Sequence, residues 1–105
     1  ADHHELALDV GELALLDVLP ERTVAFEAAF AEASPIIASM PGYVSHELQR
    51  CVEKPARYVL LVRWERLEDH TEGFRGSDDS QRWRALLHHF YDPFPSVEHY
   101  RPIFP

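Results

Sequence analysis

The sequence predicts a single α+β domain of order β-α-β-β-α-β, the ferredoxin-like plan with an antiparallel sheet. Three observations carry that prediction. The length of 105 residues suits one domain. Two segments repeat their apolar residues at helical spacing, and four short apolar runs are bounded by proline and glycine. Taken in order, residues 1–11 are expected to be a loose N-terminal extension of a domain spanning 1–105. Glu12–Leu19 is dense in Leu, Ala and Val, stops at Pro20, and reads as a strand. In Arg22–Met40, Phe26, Phe30, Ala33 and Ile37 follow at steps of four, three and four, with Glu27 and Glu32 off that stripe. Pro35 and Pro41 disfavour helix before them, so this helix is expected to end between Ser34 and Met40. Gly42–Val52 alternates as a second strand, with a turn at Glu53-Lys54-Pro55, and Arg57–Glu65 is the clearest strand of the chain. A short helix is predicted over Leu67–Phe74, closed by Gly76. Ser77 then caps a new helix whose first turn holds Asp78 and Asp79 and whose stripe is Trp83, Leu86, Leu87 and Phe90. Pro93 and Pro95 break the chain before a last strand over Phe94–Ile103.

In this plan the first and third strands are central, and here both are apolar on both faces. Ala14, Leu16 and Val18 oppose Leu13, Leu15 and Leu19, while Tyr58, Leu60, Val62 and Trp64 oppose Val59 and Leu61. Two helices cover one face of such a sheet. The other face is expected to be buried against a second copy, which makes the protein a homodimer.

Composition narrows the classes of partner. A formal charge of −8 repels phosphate backbones and anionic membranes, so nucleic acid is not an expected partner. No apolar run approaches the length that crosses a bilayer, and Ala1–Leu8 do not read as a secretory signal. With Cys51 the sole cysteine, there is no internal disulfide and no multi-cysteine metal site, in keeping with a cytoplasmic protein. Cys51 itself reads as an inert small hydrophobe. The seven histidines invite a metal reading that their spacing does not support. His88 and His89 are neighbours, about 100° apart on a helix, His3 and His4 stand near the start, and no His-x-x-x-His or His-x-His pair exists. His46 and His99, on different strands, are candidates for a polar pair across the sheet.

The stretch Met40–Tyr100 resembles the antibiotic biosynthesis monooxygenase family. The residues that carry the likeness are Pro41-Gly42-Tyr43, Val62-Arg63-Trp64-Glu65, Leu67-Glu68-Asp69-His70, Gly73-Phe74-Arg75-Gly76-Ser77, Gln81-Arg82-Trp83-Arg84 and His88-His89-Phe90-Tyr91, followed by Pro95 through His99. The resemblance implies a dimeric α+β barrel with a small-molecule pocket between sheet and helices in each subunit. It further implies oxygenation without metal, flavin or haem, with O₂ as co-substrate. An aromatic quinol- or polyketide-like molecule loses a proton, its anion reduces O₂, and a peroxide collapses to a quinone. The same fold hosts other functions, so an unassigned or non-catalytic small-molecule-binding protein, or an isomerase or lyase with His70 as base, stands beside the oxygenase reading.

By the family pattern the Trp64 face of the third strand looks into the pocket, which makes Tyr58, Leu60 and Trp64, with Phe74, Trp83 and Tyr91, the expected substrate-binding residues. Each has a simpler reading as core packing. His70 follows Leu67 by three and precedes Phe74 by four, so it shares the buried side of its helix. Its position resembles that of a tyrosine that meets the substrate in the family's polyketide oxygenases. A histidine there can accept a phenolic proton near neutral pH, or simply bond a backbone carbonyl. Arg84 flanks the Trp83 stripe. The resemblance implies a pocket-facing cation at an oxyanion, whereas a surface ion pair is the plainer alternative. Two departures matter. Leu60 stands where polyketide oxygenases tend to carry asparagine, and Ala14, Phe74 and Arg84 replace the asparagine, tryptophan and histidine of haem-degrading members.

Overall fold

The computed structural model describes residues 9–104. Strands β1 (Val10–Asp17), β2 (Tyr43–Arg50), β3 (Arg57–Trp64) and β4 (Ser96–Tyr100) form one antiparallel sheet in the order β2-β3-β1-β4. Helices α1 (Thr23–Ala38) and α2 (Asp78–Leu87) supply the other layer. The ferredoxin-like α+β plan is thus the observed fold, with β1 and β3 central.

The boundaries moved where long-range pairing overrode local pattern. β1 begins at Val10 rather than Glu12, because Val10 pairs with Trp64 and Asp17 with Arg57 at the two ends of the β1–β3 ladder. The Arg57 guanidinium holds the Asp17 carboxylate at 2.8 and 3.2 Å and keeps its pKa below the ordinary carboxylate value. Val10 and Gly11 therefore belong to the sheet, while the remainder of the expected extension, His3 and His4 included, lies outside the described residues. β4 is shorter than predicted because its five residues pair only with Gly11–Leu15 of β1.

Helix α1 runs through Pro35 and ends at Ala38, within the expected range of Ser34 to Met40. The carbonyl of Ala31, which the missing Pro35 N–H leaves free, accepts the Ser34 hydroxyl at 3.3 Å. A proline inside a helix costs about 3 kcal/mol. Burying Ile36 and Ile37 just beyond it returns roughly 1.5–3 kcal/mol each, so the extra turn is worth keeping. The predicted short helix opens with a single turn at Leu67 and continues as a π-helical segment, Asp69–Phe74, in which Arg75 N–H bonds the His70 carbonyl at 3.0 Å. That segment packs close over Gly42, whose φ of 83° no other residue adopts easily and where a Cβ would collide with the Asp69 carboxylate. Ser77 caps α2 as expected, accepting the Ser80 N–H at 3.2 Å.

The core lies between α1, α2 and one face of the sheet. Phe26, Phe30, Ala33 and Ile37 from α1, and Trp83 and Leu87 from α2, pack on Ala14, Leu16, Tyr58, Leu60, Val62 and Trp64. On the opposite face Leu13, Leu15, Val59 and Leu61 are half-buried, and no described element covers them.

Candidate active site

The register sets one row of side chains across the helix-covered face: His99 of β4, Glu12 of β1, Val62 of β3 and His46 of β2. β2 and β4 are the two edges of the sheet, so His46 and His99 are three strand spacings apart, about 14 Å, and form no pair. His46 bonds the Tyr43 hydroxyl instead. His99 turns toward the π-helical segment, where its Nε2 lies 2.8 Å from His70 Nδ1.

Glu12 is 6% exposed, and an unpartnered carboxylate so deep would be costly. It has two partners. Trp64 Nε1–H donates to Oε1 at 3.0 Å, and His70 Nε2 lies 3.3 Å from the same oxygen. The His70 ring packs nearly parallel to both Trp64, at 5.6 Å and 23°, and Phe74, at 6.3 Å and 25°, the three rings forming one cluster. Burial raises the Glu12 pKa, opposed by the Trp64 hydrogen bond and the Arg75 charge. Burial, then the charges of Arg75 and His99, lower the His70 pKa to about 3. Burial and Arg75 lower that of His99 as well. His70 is thus a neutral imidazole near neutral pH rather than one that titrates there. Two arrangements complete the chain Glu12–His70–His99. In one, His70 Nε2–H donates to the carboxylate while Nδ1 accepts from His99. In the other, protonated Glu12 donates to Nε2 while Nδ1–H donates to His99. They differ by the net passage of one proton along the row.

A cavity of about 210 Å³ opens between this row and α2, with Glu12, His70, Phe74, Trp83, Arg84 and Val97 in its wall. His70 and Arg84, expected as the reacting pair, thus face the same space, and Phe74 and Trp83 supply apolar surface. Arg84 makes no surface ion pair among the described residues. Its Nη2 lies 3.5 Å from the buried Ser80 Oγ. The strand residues are placed differently from the expectation. Trp64 is fully buried, Leu60 and Tyr58 lie in the core, and none of the three lines this cavity. The reason is packing: Phe26 stands against Tyr58 at 4.9 Å and Phe30 against Trp83 at 5.8 Å, so α1 fills the space above β3. The Tyr58 hydroxyl donates to Glu27, and burial with that bond pushes its pKa up to about 12. Tyr91 is turned to Phe26 and His88, also away from the cavity, and burial raises its pKa. Trp64 supports the site from behind, through its hydrogen bond to Glu12 and its ring contacts with His70 and Phe74.

Sequence reasoning assigned no role in the site to Glu12 or Arg75 and considered His99 only as a cross-strand partner of His46. Glu12 had a signal, since it stands two residues before Ala14 and so shares the parity of Ala14, Leu16 and Val18. His99 had none before the register was known. Among the described residues no group of three or more His, Cys, Asp or Glu is placed to hold a metal ion, and no helix is long and apolar enough to cross a membrane.

Comparison with known proteins agrees with this architecture. A family model described as antibiotic biosynthesis monooxygenase matches residues 10–86. The uncharacterized protein YczJ of Bacillus subtilis is 53% identical over 94 residues, spanning 90% of this chain and 99% of that protein. The crystal structure of a candidate antibiotic biosynthesis monooxygenase from Bordetella bronchiseptica matches with a TM-score of 0.88 at 35% identity, over 92% of this chain and 99% of that one. SnoaB, a cofactor-independent oxygenase from Streptomyces nogalater, shares the fold with a TM-score of 0.81 at 19% identity, over 94% and 97% of the two chains.

Proposed function

The chain belongs to the antibiotic biosynthesis monooxygenase family, and from that footing we propose that it is a cofactor-independent monooxygenase oxidising a small aromatic quinol or phenol with O₂. One observation carries the reading: His70, Arg84 and the buried Glu12 carboxylate face a single cavity whose remaining wall includes Phe74 and Trp83. The aromatic ring lies against Phe74 and Trp83, and its hydroxyl meets the Glu12 carboxylate in the cavity wall, because both His70 ring nitrogens are taken, Nε2 by Glu12 and Nδ1 by His99. Because His70 alone is a weak base, the phenolic proton goes to the Glu12–His70 pair, with His99 as the outlet toward the sheet edge. Arg84 offers a cation to the phenolate. The electron-rich anion reduces O₂ directly, one oxygen atom ends on a ring carbon, the other leaves as water, and the ring becomes a quinone. SnoaB, which shares the fold, is a cofactor-independent oxygenase, and that supports the chemistry.

Cavity size favours the smaller substrates. Sites for drug-sized ligands run to roughly 300–1,000 Å³, against about 210 Å³ here, so one or two fused rings fit better than an extended polyketide. Leu60, in the core, adds no polar contact for a larger molecule. An oxygen electrode with hydroquinone and 1,4-dihydroxynaphthalene, without added cofactor, tests the proposal. Protein-dependent O₂ uptake with quinone formation is expected. No uptake with any one- or two-ring quinol would sink the oxygenase and leave a ligand-binding protein.

We also propose that a second copy of the chain covers the outer sheet face, where Leu13, Leu15, Val59 and Leu61 form an apolar centre.

A further inference from the structure

The cavity carries more positive charge than deprotonating a phenol requires. In a chain of net charge −8, five arginines are held by carboxylates: Arg50 by Glu27, Arg57 by Asp17, Arg63 by Asp9, Arg66 by Asp69 and Arg82 by Asp79. Both arginines in the cavity wall, Arg75 and Arg84, differ. Among the described residues neither has a carboxylate at ion-pair distance, although acidic side chains outnumber basic ones 18 to 10. A phenolate formed at the Glu12–His70 pair needs one cation, and Arg84 suffices for it. Arg75 is left over.

We propose that Arg75 binds a carboxylate on the substrate, which makes the substrate class a hydroxyaryl carboxylate. The inference rests on the reading of this cavity as the site of a phenolic ligand, and deepens it. Arg75 closes the π-helical segment, and its backbone N–H bonds the His70 carbonyl at 3.0 Å, so one turn of chain positions both the imidazole and this guanidinium. The side chain is exposed, so the fold does not depend on it, and a carboxylate at the cavity mouth stays partly hydrated while it binds. A guanidinium presents paired N–H groups that match a carboxylate in two parallel hydrogen bonds. Orientation follows from the same charges. Glu12, at the inner end, disfavours a second carboxylate there, so the hydroxyl points inward and the acid outward.

The test compares hydroquinone with 2,5-dihydroxybenzoate, which differ by the carboxylate alone. Binding is read by quenching of tryptophan fluorescence under nitrogen, with Trp83 in the cavity wall as a reporter. The acid is expected to bind about tenfold or more tightly than hydroquinone, as a charged hydrogen-bonded pair warrants. Arg75→Gln should abolish that preference, Arg75→Lys should retain part of it, and Arg82→Gln, whose side chain pairs with Asp79 outside the cavity, should leave it intact. Equal binding of the two probes, failure of both to bind, or an unaltered preference in Arg75→Gln overturns the assignment. Oxygen uptake, measured separately in air, keeps the two ideas apart. A carboxylate preference without uptake removes the oxygenase and keeps the carboxylate site. Uptake without the preference removes only the role of Arg75.

Discussion

The two faces of the sheet are built by the same four strands, yet they differ in what interrupts the apolar surface. On the outer face Leu13, Leu15, Val59 and Leu61 form a patch edged by exposed Ser45, Glu47, Gln49, Ser96 and Glu98, with nothing ionisable at its centre. On the inner face a carboxylate and two histidines break an equally apolar surface and are buried or half-buried. The contrast shows what a buried polar cluster needs. Glu12 is tolerated because the helical layer brings a roof, His70, and because a neighbouring strand presents the Trp64 indole N–H. Among the described residues the outer face has no such roof, and the proposed second copy of the chain would supply one. The proposed chemistry thus falls on the face that the chain covers itself, and the proposed association on the face that no described element covers.

The largest expected effect is on the inner face. His70→Gln keeps a hydrogen-bonding group beside Glu12 but cannot relay a proton to His99, and should lower turnover by roughly 10²- to 10⁴-fold with little change in melting temperature. Arg84→Ala should cost less. An oxygen electrode and a thermal melt measure both, and full activity in His70→Gln would erase the chemical distinction between the faces.

A smaller effect is expected on the outer face. Wild type should sediment at twice the chain mass of 12.1 kDa at micromolar concentration. Leu61→Asp, placing a charge at the centre of the apolar patch, should weaken the dimer by about 2 kcal/mol or more, roughly 30-fold in Kd. Sedimentation equilibrium decides this, and a monomeric wild type would end the argument from the outer face.

The smallest effect is a pH dependence of stability. The folded His70 value is about 3, against 6.5 when exposed, so below about pH 6.5 the unfolded chain takes up a proton that the folded site refuses. Stability therefore falls from this group as pH drops from about 6.5 toward 3. Glu12 acts with the opposite sign: its raised value gives stability present at low pH and lost as pH rises above 4.5 through the folded value. Urea midpoints between pH 6.5 and 4.5 should fall less in His70→Gln than in wild type. Parallel curves would show that His70 is not held neutral by its surroundings.

Periodicity alone determined the order of elements, the central strands, the α1 stripe of Phe26, Phe30, Ala33 and Ile37, and the Ser77 cap, because each depends on residues a few positions apart. The same locality explains the placement of His70 on a buried side and of Phe74 and Trp83 beside it. Sequence reasoning failed wherever a distant partner decided the outcome. Tyr58, Leu60 and Trp64 were expected along the cavity, but Phe26 and Phe30 fill the space over β3. Alternation tells which face Glu12 occupies, but it does not tell that His99 stands beside it on β4 or that a π-helical turn lowers His70 onto both. Those meetings span 58 and 29 residues of chain. Strand register and the packing of the helical layer bring such residues together, and both are set by the burial of the whole core rather than by any local run of sequence.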